Sequence, residues 1–267
     1  MEHFFRYSDK NIGFNYSCTE TPNPDDFKMH MHNLCEIYYF IEGNGVYKIE
    51  GSEYKLRNGD ILIMRPAEAH YIDIDKNYPY TRMSLHFDMD IFSQIDVDKK
   101  FSEAFYQREV GKFNLYRDSD FSTSAYRYLL ENIISKTDNQ RLQITSNLAA
   151  FLNELYIAFH NKNSVVESET LSYEILSYIN RHIHENINLD SICKRFYISK
   201  SHLCRVFKQS TGSTVAEYIS VKRLLKAKSL IRQGENSTKA ATLSGFNDYS
   251  VFYRNYKKHF NSTPSEI

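Results

Sequence analysis

A helical apolar pattern that breaks, resumes and then repeats constrains this chain more than any other feature. Between Leu189 and Gly212 the sequence reads LDSICKRFYISKSHLCRVFKQSTG. Leu189, Ile192 and Phe196 keep helical spacing, Ile198 and Ser199 interrupt it, and Leu203, Val206 and Phe207 resume it. Ser199 can cap the second helix through its hydroxyl, and Gly212 supplies the left-handed residue that ends it. From about Ser237 a second copy reads STKAATLSGFNDYSVFYRNYKKHF. Ala240, Leu243 and Phe246 precede an Asp248 cap, and Val251, Phe252, Tyr256 and Phe260 form the expected buried stripe of the next helix. Two helix-turn-helix units are thus predicted on one joining helix, Thr214 to Arg232. At 1.5 Å per residue that helix spans roughly 28 Å, which with its turns approaches the DNA repeat of about 34 Å.

These blocks resemble the AraC/XylS DNA-binding domain over roughly the last hundred residues. The resemblance needs ISKSHLCRVFK, VAEYISVKRLLKAKSLI, GFNDYSVFYRNYKK and the late TP in order, and all are present. Three positions depart from it: Cys193 in place of a small alanine, Asn261 in place of a glycine, and Ile267 where an aromatic and an arginine usually follow. The resemblance implies double-stranded DNA as a partner. It places Ser201, Cys204 and Arg205 of the first reading helix, and Tyr249, Ser250, Tyr253 and Arg254 of the second, toward base edges. Lys200, His202, Lys208 and Lys257 fall toward phosphates. Arg205 is the strongest candidate, since a guanidinium can donate twice to a guanine edge.

Charge divides the chain in the same place. Residues 1–169 carry 18 Lys and Arg against 26 Asp and Glu, whereas residues 170–267 carry 15 against 7. A −8 front and a +8 back confine polyanion binding to the C-terminal part. At 267 residues two domains are expected. Cys18, Cys35, Cys193 and Cys204 have no metal-ligand spacing, no leader pattern opens the chain, and no run of about 18 apolar residues occurs. A cytoplasmic protein without membrane partners is expected.

From Leu34 to Asp88 the period becomes two, with turn chemistry at Gly43-Asn44-Gly45, Gly51-Ser52 and Asn58-Gly59. The predicted fold class is therefore α+β: an N-terminal antiparallel β-barrel followed by helices, then an all-α double helix-turn-helix domain. HMHNLCEIYYFIEG, with His30, His32, Glu36 and Gly43, resembles a first cupin motif. GDILIMRPAEAH, with Gly59, Pro66 and His70, resembles a second, although Glu68 replaces its inner glycine and Ile74 stands where an asparagine is usual. Such cupin-like barrels serve as effector domains in several AraC-type regulators.

Parity lets His30, His32 and Glu36 share one face, while Met29 and Met31 take the other. Three histidines and a carboxylate suit a divalent metal in that fold; equally, they can line an effector pocket with Tyr38, Arg82 and His86. The effector reading is adopted, with no cofactor, no catalytic residues and no enzyme activity expected. A metal-dependent cupin enzyme or metal-sensing regulator is the alternative. Rings with few polar groups suit a small molecule such as a sugar.

From Phe101 the period becomes helical: FSEAFYQREV, TSAYRYLLENIISK, then RLQITSNLAAFLNELYIAFH. In the last, Leu142, Thr145, Leu148, Leu152, Leu155 and Phe159 form a stripe that Ile144, Phe151 and Ile157 widen, to cover the barrel, a second copy, or both. The expected organisation is a barrel at 1–100, a helical dimerising segment at 101–160, a linker at 161–169 and the DNA-binding domain at 170–267. RNA polymerase is the further partner that this class implies.

Overall fold

The computed structural model describes residues 2–162 and 170–266. The expected linker lies mostly outside them, as does Ile267, and Asn161 closes a helix instead of opening a loop. The front part contains strands β1 (Glu2–Ser8), β2 (Ile12–Thr19), β3 (Cys35–Glu42), β4 (Gly45–Ile49), β5 (Ser52–Lys55), β6 (Ile61–Met64), β7 (His70–Ile74), β8 (Tyr80–Phe87) and β9 (Leu115–Tyr116). After β8 come helices α1 (Glu103–Tyr106), α2 (Ala125–Ile134) and α3 (Gln140–Asn161).

The strands form two hydrogen-bonded sheets and not a closed ladder. The larger runs β1-β2-β8-β3-β6-β9 and the smaller β5-β4-β7. Tyr38, Phe40, Leu62, Met64 and Tyr80 of the large sheet meet Tyr47, Ile49, Tyr54, Ile72 and Ile74 of the small one. The opposite parity of the large sheet, Ile37, Ile61, Ile63, Met83, Leu85 and Phe87, packs on Leu130, Ile133, Ile144, Leu148, Phe151 and Leu155 of α2 and α3. The central strands β3, β6 and β8 thus bury both faces, one against the second sheet and one against helices, while β4, β5 and β7 bury one.

Three expectations need correction here. The hairpin β1–β2 lies ahead of the segment read as strands, and its Ile12, Phe14 and Cys18 are buried on alternate positions. The helix expected over FSEAFYQREV lasts one turn as α1, because Arg108 turns inward: its Nε donates to the Ala104 carbonyl at 3.0 Å and its Nη2 to Glu68 at 2.7 Å. Along α3, Ile144, Leu148, Phe151, Leu152 and Leu155 cover the sheet, while Leu142 (60% exposed) and Ile157 (38%) do not.

The back part is all helical: α4 (Leu171–Arg181), α5 (Leu189–Phe196), α6 (Lys200–Thr211), α7 (Val215–Arg232), α8 (Ser237–Leu243) and α9 (Tyr249–Phe260). Its caps follow the sequence closely. Ser199 accepts from the His202 amide, Asp248 from the Val251 amide, and Thr214 forms a capping box with Glu217 at the start of α7. Gly212 ends α6 at φ 72°, and Asn261 takes the left-handed position after α9 at φ 52°, so the asparagine does there what glycine does elsewhere. Cys193 fits the first unit's core as a small hydrophobe. Leu243 (45% exposed) and Val251 (39%) are not part of the second core, which Leu224, Ala227, Ala240, Ala241, Phe252 and Tyr256 close.

Candidate effector site and nucleic-acid interface

Register brings the front-part site together. Antiparallel pairing of β3 with β8 sets Glu36 opposite His86, and an isolated bridge ahead of β3 sets His30 opposite His70. Glu36 is 3% exposed and His70 fully buried, whereas His30 keeps an exposed edge. Around the Glu36 Oε2 stand His32 Nε2 at 2.8 Å, His70 Nε2 at 3.0 Å and His86 Nε2 at 3.5 Å. The ligand atoms of His30, His32, Glu36 and His70 all lie within 4.8 Å of one another.

The second nitrogen of three of these rings explains what the cluster can hold. The Nδ1 of His30, His32 and His70 reaches the backbone carbonyl of Lys28 (3.0 Å), Leu34 (2.9 Å) and Glu68 (2.7 Å) respectively. A carbonyl only accepts, so each Nδ1 carries a proton and each Nε2 is turned toward the cluster. The Nε2 atoms of His32 and His70 meet a carboxylate oxygen, an arrangement satisfied by a proton on the ring nitrogen or by a metal cation held between the groups. Such tethering by backbone acceptors orients histidines toward divalent metals. Two ligands about 2.1 Å from an ion at right angles stand about 3 Å apart, close to the separations of His32 and His70 from Glu36.

Electrostatics hold the Glu36 carboxyl as an anion among these rings. Burial, reinforced by His70, lowers the His30 pKa to about 4. Burial also lowers His32, against the pull of Glu36. For Glu36 burial opposes ionisation, but His86 and His70 outweigh it and hold the carboxyl well below its ordinary range. Burial likewise disfavours charge on His86, yet the facing Glu36 raises its pKa.

Tyr38 and Arg82, the other expected pocket residues, extend the site inward. The Tyr38 and Tyr80 hydroxyls hydrogen bond. Arg82 donates to Thr19 Oγ1 at 3.1 Å and lies over the Tyr80 ring at 4.2 Å and the Phe27 ring at 5.1 Å. Tyr47 stacks parallel to His70 with centroids 6.1 Å apart. Tyr47, Tyr80, Thr19 and Phe27 escaped sequence reading; the period-two pattern of β4 and β8 carried the signal for the two tyrosines.

In the back part, α6 and α9 present the expected base-facing side chains outward. Ser201, Cys204, Arg205, Tyr249, Ser250, Tyr253 and Arg254 are all exposed, as are Lys200, Lys208 and Lys257, with His202 half-buried. Behind them Leu203 and Phe207 fix α6, and Phe252 and Tyr256 fix α9. Lys200 pairs with Asp190 at 2.7 Å, and the Tyr249 hydroxyl meets Ser237 Oγ at 3.0 Å. The 18 residues of α7 join the units across about 27 Å.

Twin helix-turn-helix units with outward reading helices, joined to a double-sheet module with a clustered polar site, define a sequence-specific DNA-binding transcriptional regulator with its own ligand-binding domain. Comparison with known proteins agrees. Residues 17–176 match a family model described as the AraC-like ligand binding domain, and residues 192–267 match one described as a helix-turn-helix domain. The HTH-type transcriptional activator RhaS of Escherichia coli O1:K1 is 25% identical over 248 residues, 91% of this chain and 87% of RhaS. Among solved structures, a protein of unknown function from Listeria innocua is 31% identical and covers 37% of this chain and 94% of its own, with a TM-score of 0.35. ToxT from Vibrio cholerae is 14% identical across 96% of this chain and 97% of its own, with a TM-score of 0.41. The chain belongs to the AraC family of transcriptional regulators.

Proposed function

We propose that this regulator senses a small polyhydroxylated molecule, a carbohydrate, in its double-sheet domain and converts occupancy into promoter binding by a homodimer that activates transcription through RNA polymerase. The observation that carries this reading is the pairing of an aromatic and charged interior, Tyr38, Tyr47, Tyr80 and Arg82, with exposed Arg205 and Arg254. Rings stack on sugar faces, and a few polar groups fix orientation. The kinship with the transcriptional activator RhaS supports the activation. Arg205 and Arg254, with Ser201, Cys204, Tyr249, Ser250 and Tyr253, read bases; Lys200, His202, Lys208 and Lys257 hold phosphates. Residues 1–100 form the sensor, 101–160 the dimerising helices and 170–267 the reader. This reading places the protein in the cytoplasm with the DNA it binds; no helix among the described residues is long and apolar enough to cross a membrane. The protein is a regulator and not an enzyme.

Control by a ligand requires that it favour one of two states. The test is binding of purified full-length protein to the DNA upstream of its own and neighbouring operons, with and without a panel of sugars. Saturable binding that a sugar shifts supports the reading; indifference to DNA under all conditions removes it.

A second reading of the sensor rests on the histidine tethering: a divalent transition metal held by His30, His32, Glu36 and His70, making this a metal-responsive regulator. Elemental analysis of the wild type against His70→Ala decides. One metal per chain, lost in the variant, favours that reading, and equal traces in both reject it.

A further inference from the structure

The turn between β4 and β5 carries a buried acid into the helical part. Glu50 sits there at φ 49° with 3% exposure. Its Oε1 accepts from the Ala69 amide at 2.7 Å and from Lys222 Nζ at 2.6 Å. Its Oε2 accepts from Asn180 Nδ2 at 3.0 Å and from the Tyr218 hydroxyl. Three of these four donors belong to α4 and α7, and Tyr218 and Lys222 are themselves buried. A buried carboxylate is tolerated only while its donors stay in place, so this contact exists wholly or not at all.

Close packing surrounds it. A Cβ on Gly51 would stand 2.9 Å from Leu176 Cδ1 and 3.2 Å from the Tyr173 nitrogen, so glycine permits the turn to approach α4. Ala69, Met29 and Met31 join the core of the first reading unit beside Ile175, Leu176, Leu203 and Phe207. The Tyr71 hydroxyl donates to the Gln209 carbonyl on α6 at 3.2 Å. Among the described residues the core of the second unit contains no side chain from the sheets, and Arg232 meets Asp88 only at 3.9 Å on the surface.

We propose that Glu50 is the pin of an interdomain latch, one that clasps the first reading unit to the sensor at a fixed orientation and leaves the second unit unclasped. The latch deepens the regulator reading, on which only its purpose rests. Met29, Met31, Ala69 and Tyr71 alternate along the chain with His30, His32 and His70, so the clasped surface and the histidine cluster occupy opposite sides of the same two segments.

Hydrogen exchange on the full chain tests it without DNA or effector. Glu50→Gln preserves shape and removes the charge; Lys222→Met is the second variant, should the first fold poorly. Each is expected to speed amide exchange in α4–α6 by about tenfold while α8 and α9 keep wild-type rates. Combining the two is expected to add less than about twofold, because either change alone opens the same contact. Unchanged exchange, equal acceleration in both units, or additive effects of the two substitutions would overturn the latch and leave the regulator reading standing. Failure to bind promoter DNA would remove that reading and leave the latch.

Discussion

Glu68 and Arg108 face each other fully buried, with Arg108 Nη2 2.7 Å from Glu68 Oε2 and Arg108 Nη1 2.7 Å from Oε1. Asn114 and the Gly111 and Arg65 amides also donate to the carboxylate, at 3.1, 2.8 and 3.1 Å. Glu68 thus replaces the inner glycine of the second cupin-like motif with a bidentate, fully hydrogen-bonded pair.

Breaking this pair should unsettle the sensor more than any surface change. Arg108→Met strands a buried carboxylate, and a loss of about 3–5 kcal/mol is expected in urea unfolding at pH 7. A loss under about 1 kcal/mol would mean that water or another cation already satisfies Glu68.

The same pair sets an acid limit. Burial alone would raise the Glu68 pKa, but Arg108 more than compensates and brings it to about 2. Because the folded value lies below the ordinary one, the stabilisation is complete above about pH 4.5 and is lost as pH falls toward 2. Unfolding midpoints for wild type and Glu68→Gln should therefore converge between pH 4.5 and 2; parallel curves across that window would contradict the assignment.

Tyr197 ends α5 in the left-handed region, at φ 54° and 95% exposed. Its ring gains little packing in return for that backbone. Tyr197→Gly should stabilise the chain by about 1 kcal/mol, offset in part by glycine's greater unfolded freedom. Thermal unfolding checks this, and a fall in midpoint would assign the ring a contact.

Leu142, Ile157 and Tyr128 remain exposed on α3 and α2 after the inner stripe has covered the sheet. If these helices pair two copies, Leu142→Glu should shift sedimentation from dimer toward monomer. An unchanged sedimentation coefficient would place the dimer contact elsewhere.

Arg205 and Lys208 separate specificity from affinity. Arg205→Ala should cost about 1–3 kcal/mol at one base position and relax preference there, while Lys208→Ala should weaken all sequences alike and reduce the salt slope by about one. Equal loss of discrimination in both variants would contradict the two roles.

Much of this arrangement was legible in sequence where local chemistry decides it. Ser199, Gly212 and Asp248 bounded helices because caps act within four residues. Parity placed Glu36, Tyr38 and Phe40 on one face, since strand geometry admits no other outcome. Spacing alone could not separate Val251 from Phe252: adjacent apolar residues both lie near the buried arc, and α8 is too short to cover both. Glu50 left no trace at all, because its partners Asn180, Tyr218 and Lys222 are 130 to 172 residues away. Arg108 was hidden for the same reason, its carboxylate lying 40 residues upstream.

The most direct measurement is a footprint of the full-length protein on the DNA upstream of its own operon. Two protected blocks about one helical turn apart on one face of the duplex are expected for each chain, with Arg205→Ala weakening one block and Arg254→Ala the other. A single block untouched by Arg254→Ala would contradict the account of twin groove-reading units.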